Sequence, residues 1–92
     1  MPELNSLFYA KSIAVIGASR RPGSVGHSLL ANLLMNRYQG VIYPVNPMAT
    51  SVLGVKCYSR VLEISDDIDL AVIIVPSRMV PQVLDECGQM GI

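Results

Sequence analysis

Between Gly17 and Gly26 the chain reads G-A-S-R-R-P-G-S-V-G, a stretch rich in the residue types that hold phosphate. Gly17, Gly23 and Gly26 allow positive φ angles or a close approach of the backbone to a ligand. Ser19 and Ser24 offer hydroxyls, and Arg20 and Arg21 add charge at the rim. A helix starting near Val25 would aim its unpaired N–H groups and the positive end of its dipole back at the loop. The same glycines could do no more than make a tight strand-to-helix turn.

The spacing narrows the choice of phosphate ligand. A dinucleotide fingerprint is G-x-G-x-x-G, whereas this loop is longer and stiffened by Pro22. The acidic residue that holds an adenosine ribose falls about 20 residues further on, a region occupied here by Asn46. An ordinary NAD site is disfavoured, and no Gly-Lys-Ser or Gly-Lys-Thr follows to make a Walker A loop.

Little else in the chain could carry chemistry. His27 is the one histidine and has no base or carboxylate at a convincing spacing, so it is read as a half-exposed helix residue or ligand-edge contact rather than a nucleophile. Cys57 and Cys87 lack a C-x-x-C spacing and a cluster of further ligands, which makes them reduced thiols and predicts no metal. Seven basic and seven acidic side chains cancel, leaving no electrostatic footprint for nucleic acid. No secretory leader is visible and no apolar run reaches the roughly 18 residues of a membrane span, so the expected location is the cytoplasm.

The loop needs elements to position it, and strand and helix patterns alternate along the 92 residues. Ser12 to Gly17 is short, apolar and β-branched, as a strand buried on both faces should be. Val25 to about Arg37 repeats Val25, Leu29, Leu30, Leu33 and Leu34 at helical steps. Val41 to Val45 reads as a second strand, which Pro44 restricts to an edge or a strand end. Gly54 to Tyr58 is a third extended piece, leading into a helical turn near Ser59 to Ile64 with Ser59 as its cap.

Asp69 to Val75 has the most buried composition of any strand. A final helix from about Arg78 to Gln89 sets Val80, Val83, Leu84 and Cys87 on one side and tolerates Pro81 in its first turn. This order predicts an α/β, Rossmann-like, doubly wound fold with a mostly parallel sheet. Ligands in such folds lie outside the carboxyl ends of the strands. Three loops should therefore converge: Gly17 to Gly26, Asn46 to Thr50, and Val75 to Arg78.

The ordered motifs KSIAVIGASRRPGSVG, GVIYPVNP, LGVKCY and DIDLAVIIVPSRMVPQVLDECG resemble the N-terminal CoA-binding domain of NDP-forming acyl-CoA synthetases. The similarity is strongest to the α subunit or α-like region of ADP-forming acetate–CoA ligases, which are related to the succinyl-CoA ligase α subunit. The resemblance implies that coenzyme A lies across the strand ends. Its phosphates would sit on Gly17, Ala18, Ser19, Arg20, Pro22, Gly23, Ser24, Val25 and Gly26. Asn46 and Pro47 would border the adenosine, and Val75, Pro76 and Ser77 would line the path of the pantetheine arm.

One departure is Met48, where family members often carry a lysine; Arg20, Arg21 or Arg78 are candidates to compensate. A larger one is that the family works through a phosphohistidine domain and an ATP-grasp domain, and neither fits here. The chain alone is therefore not expected to make acyl-CoA, and its partners would be CoA and the remaining synthetase domains or a β subunit. Met90, Gly91 and Ile92 resemble the approach to another strand, so the domain is expected to be truncated and the Leu70 to Val75 edge to favour self-association. The alternatives are a standalone CoA-binding regulatory protein and an NAD(P)-binding redox protein.

Overall fold

The structure, a computed structural model, describes residues 9–92. Its centre is β1 (Ser12–Ile16), a strand with every residue buried. β1 pairs in parallel with β2 (Val41–Val45) on one side, Ile13 opposite Ile42. A short hairpin follows, β3 (Ser51–Val52) with β4 (Val55–Lys56). β5 (Leu70–Ile73) then returns to the free side of β1 in parallel, Ile13 opposite Leu70, giving the order β2-β1-β5.

Side chains alternate across a strand, so β1 feeds two cores. Ile13 and Val15 pack with Leu30 and Leu33 of α1 (Val25–Met35) and with Val52 and Cys57. Ala14 and Ile16 pack on the opposite face with Val83 and Cys87 of α2 (Val80–Met90) and with Val61 and Ile64. The two helices thus cover opposite faces of an all-parallel three-stranded sheet, the doubly wound arrangement expected from the alternating pattern.

Several details differ from the sequence expectation. β5 is the sheet edge and each of its residues is half-buried, because β1 takes the central place that shields a strand on both sides. Val25 and Leu34 are 67% and 40% exposed, since Gly26, Leu30 and Leu33 form the face of α1 that meets the sheet. Leu84 likewise turns outward, 56% exposed, and the buried residues of α2 are Val83, Glu86 and Cys87.

The extended piece expected at Gly54 to Tyr58 is half of the β3–β4 hairpin, whose two turn residues have φ of 52° at Leu53 and 80° at Gly54. Two successive positive φ angles make the tight turn that suits a two-residue hairpin loop, and leucine is an unusual residue to carry one. Ser59 is not the cap of the following 3₁₀ turn, Val61–Glu63, because Arg60 holds that position. The Ser59 and Arg60 N–H groups each donate to Glu63 Oε1 at 3.1 Å, and the Ser59 hydroxyl donates to the same oxygen. These bonds, the one from the Ser59 side chain first, hold the Glu63 carboxyl below its ordinary range.

Pro44 sits where its missing N–H costs nothing, on edge strand β2, and its carbonyl accepts from Tyr58 N at 2.9 Å. The final helix is preceded by a 3₁₀ turn at Ser77–Met79, and Pro81 falls in the first turn of α2. Gly91, with φ of 76°, ends it in the left-handed conformation common at helix C-termini. Among the described residues no helix is long and apolar enough to cross a membrane.

Tyr43 supplies a pH-dependent element of the fold. Its hydroxyl donates to Asp66 Oδ2 at 2.7 Å, and this bond, with burial and the Asp66 charge, pushes its pKa up to about 12 from the ordinary phenol value of 10.0. A phenol whose folded pKa is raised stabilises the fold fully below its unfolded pKa and ceases to do so as pH rises through the folded one. Stability is expected to fall between pH 10 and about 12. Denaturant titrations across that range should show Tyr43→Phe with a flatter profile than the parent.

Candidate functional site

All three strands end on the same side of the molecule, and backbone contacts lock the loops that follow them. Gly17 N donates to Val45 O at 3.0 Å, and Ile74 N donates to Ile16 O at 2.7 Å. Asn46 ties the first two loops together: its Nδ2 donates to Ala18 O at 2.8 Å while its Oδ1 accepts from Met48 N at 2.7 Å. Gly17 is required by this crowding as well as by its φ of 108°, because a Cβ there would stand 1.8 Å from Ile74 O. Gly26 brings the start of α1 against the end of β1, and its Cβ would meet Gly17 O at 2.0 Å.

Two of the three loop glycines are thus needed by packing alone. Gly23, φ 88°, has open space around it. Ser24 caps α1, its Oγ accepting from His27 N at 3.3 Å, and its carbonyl accepts from Ser28 N. The N–H groups of Val25 and Gly26 belong to the first turn, whose donors have no partner within a helix. His27 is half-buried with Nδ1 3.0 Å from Ser19 O, so Nδ1 carries a proton when it bonds to that carbonyl. Its role is to fasten the loop to the helix.

Below the loop lies a cleft of about 250 Å³ in which Gly17, Pro47 and Val75, one residue from each loop, share a wall with Ile16 and Val45. The remaining expected residues are placed around it. Ala18 is buried, Ser19 and Ser24 are half-buried, and Arg20, Pro22, Gly23 and Val25 form the exposed rim. Pro76 and Ser77 are exposed at the start of the turn into α2. Arg78 is exposed there too, outside the cleft lining.

The opposite wall was not foreseen. Gln82, Val83 and Glu86 reach the cleft from α2, Met79 from the 3₁₀ turn before it, and Ser59, Arg60 and Val61 from the turn after β4. Glu86 Oε2 accepts from Arg60 and from Gln82, each at 3.1 Å, and its side chain is 9% exposed against 56% for Arg60. A glutamate in the same helical stripe as Val83 and Cys87 was a legible signal; its partner Arg60, on a distant turn, was not. Burial raises the pKa of both Cys57 and Cys87, the latter also through Glu86, which keeps the thiols protonated and unsuited to nucleophilic work.

A groove of about 470 Å³ adjoins the cleft, with Pro47 and Ser59 in both. It runs over Met48 and Thr50 to Lys56, whose ammonium lies 5.1 Å above the Tyr58 ring.

The sequence pattern of the CoA binding domain family, CoA_binding_2, matches residues 11–92. The ADP-forming acetate–CoA ligase II of Archaeoglobus fulgidus is 51% identical over 92 residues, covering 100% of this chain and 14% of that protein. The α subunit of the ADP-forming acetate–CoA ligase I of Pyrococcus furiosus is 50% identical over 93 aligned positions, 97% of this chain and 20% of that subunit. The apo dinucleotide-forming acetyl-coenzyme A synthetase 1 of Ca. Korarchaeum cryptofilum superposes with a TM-score of 0.89 at 45% identity, over 97% of this chain and 19% of that one. The chain spans a fifth or less of the length of these relatives. With its parallel sheet, its strand-end cleft and a family match over nearly its whole length, the chain belongs to the CoA binding domain family and is homologous to the N-terminal part of ADP-forming acetate–CoA ligases.

Proposed function

We propose that CoA lies across the carboxyl ends of β2, β1 and β5, as one domain of a cytoplasmic ADP-forming acid–CoA ligase. The observation that carries this is the meeting of Gly17, Pro47 and Val75 in one cleft beneath the capped start of α1. The diphosphate takes the Gly17 to Gly26 loop, where helix N–H groups and the rim cations Arg20 and Arg21 offset its charge. Asn46 and Pro47 border the adenosine, and the pantetheine arm leaves past Val75, Pro76 and Ser77.

None of these residues is a nucleophile or a general acid–base pair. The domain's part is to hold CoA, while phosphoryl and acyl transfer belong to other domains of the same chain or to a β subunit. The apolar, half-exposed edge of β5 suits a further strand from the rest of such a protein or from a second copy. An identity near 50% to ligases along the whole chain, and the absence of a dinucleotide fingerprint, weigh against a redox protein or a standalone regulator.

Calorimetric titration of the full chain with CoA, and separately with NADH, tests the reading. Saturable CoA binding that excess NADH does not displace is the expected result. A folded chain that takes up NADH and ignores CoA would overturn it.

A further inference from the structure

We propose that Lys56 reads the ribose 3′-phosphate of CoA, from the groove beside the main cleft, an inference that rests on the CoA reading above. CoA differs from dephospho-CoA and from NADH by a phosphate on the 3′ oxygen of its adenosine ribose. In doubly wound folds the ribose hydroxyls face the residue at the end of the second strand, and a basic residue nearby accommodates a phosphate placed on them. Here that strand ends in Val45, and the next residue, Asn46, is neutral, so nothing there repels a dianion.

The groove opens at this point. Pro47 forms its boundary with the main cleft, and Met48 at its mouth is 89% exposed and carries no charge. Lys56 is the one cation in its lining. The only ion pair among the described residues joins Arg60 to Glu86 in the main cleft, so Lys56 is not committed to a carboxylate. Its ammonium rests over the Tyr58 ring, a contact that positions the side chain and leaves its three N–H donors usable.

The other charge in the groove is Glu63, whose Oε1 is turned into the Ser59–Arg60 turn and accepts from both backbone N–H groups and from the Ser59 hydroxyl. Those donors offset its charge, and it forms no ion pair with Lys56. The loop arginines serve a different phosphate. Arg20 and Arg21 belong to the β1–α1 loop, and Arg78 lines neither the cleft nor the groove. The hairpin that presents Lys56 is held to β2 by the Tyr58 and Asn46 backbone bonds, so the cation stands on a fixed strand.

The test compares CoA with dephospho-CoA on three forms of the full chain: parent, Lys56→Met and Lys56→Arg. The parent should prefer CoA by about tenfold or more, as expected for one charge-assisted hydrogen bond. Lys56→Met should lose that preference by weakening CoA and leaving dephospho-CoA unchanged, and Lys56→Arg should restore most of it. The salt dependence of CoA binding should flatten in Lys56→Met alone, which a merely structural lysine would not cause. If Lys56→Met leaves the preference intact, or weakens both ligands equally, the assignment to Lys56 is wrong while CoA binding stands. If the parent binds no CoA, the wider reading fails and this one with it.

Discussion

Gly17→Ala is expected to destabilise the domain by about 3–5 kcal/mol, the sum of a strained φ and a broken strand junction. The added Cβ would lie 1.8 Å from Ile74 O and 2.6 Å from the carbonyl carbon, and backbone atoms cannot rotate away as a flexible side chain can. Relief requires β1 and β5 to part where Ile74 N donates to Ile16 O. A fold of 92 residues has only about 5–14 kcal/mol to lose. Gly23→Ala is the control, because it carries a positive φ of 88° with no neighbour within 4 Å. That change should cost only the roughly 1–2 kcal/mol of the left-handed conformation. Equal urea midpoints for the two variants would contradict the crowding at Gly17.

Asn46→Asp should weaken CoA binding by about 10- to 100-fold, through geometry and charge acting together. The amide donates to Ala18 O and accepts from Met48 N, and the carboxylate keeps only the second of these bonds. An oxygen then faces the Ala18 carbonyl at the former 2.8 Å separation, pushing the β1 and β2 loops apart. Its negative charge also falls beside the proposed ribose phosphate. Dephospho-CoA, lacking that group, should lose less affinity than CoA, and the gap between the two measures the electrostatic share. NADH should lose no affinity through this charge, since an acidic residue at this point bonds ribose hydroxyls. Titration of all three ligands against the variant reads these effects; a CoA affinity equal to the parent's would remove Asn46 from the site.

The alternation of β-branched runs with helical stripes made the doubly wound fold legible, and with it the side of the sheet where the loops meet. The edge position of the Pro44 strand was legible as well, because a missing donor restricts a strand wherever it lies. Burial was read less well. Composition made Asp69 to Val75 the best-shielded strand, but shielding follows from sheet order, which β1 decided by pairing on both sides. Val25, Leu34 and Leu84 have the right spacing for a core face, yet the sheet meets each helix along a narrower line.

At the site, the glycine loop was visible because backbone geometry is local. Two of its three glycines answer to packing, Gly17 and Gly26 admitting strand and helix to close contact. The wall formed by Arg60, Gln82 and Glu86 depends on a turn and a helix far apart in the chain, and no spacing rule joins them. The hairpin escaped because Leu53 occupies a positive-φ position that asparagine or glycine would have announced.

The central position of β1 also governs the order in which the domain can assemble. Ile13 needs both Ile42 and Leu70 as neighbours, so β1 is made before either of its partner strands and is enclosed only after the later of them, β5, has been made. Local contacts form early, within α1 and within the β3–β4 hairpin, but the strand that both cores share must wait for chain closure over most of the sequence. Parallel pairing of this kind is slow, and apolar surface stays exposed meanwhile. A long interval with uncovered apolar surface during synthesis is therefore a consequence of the sheet order itself.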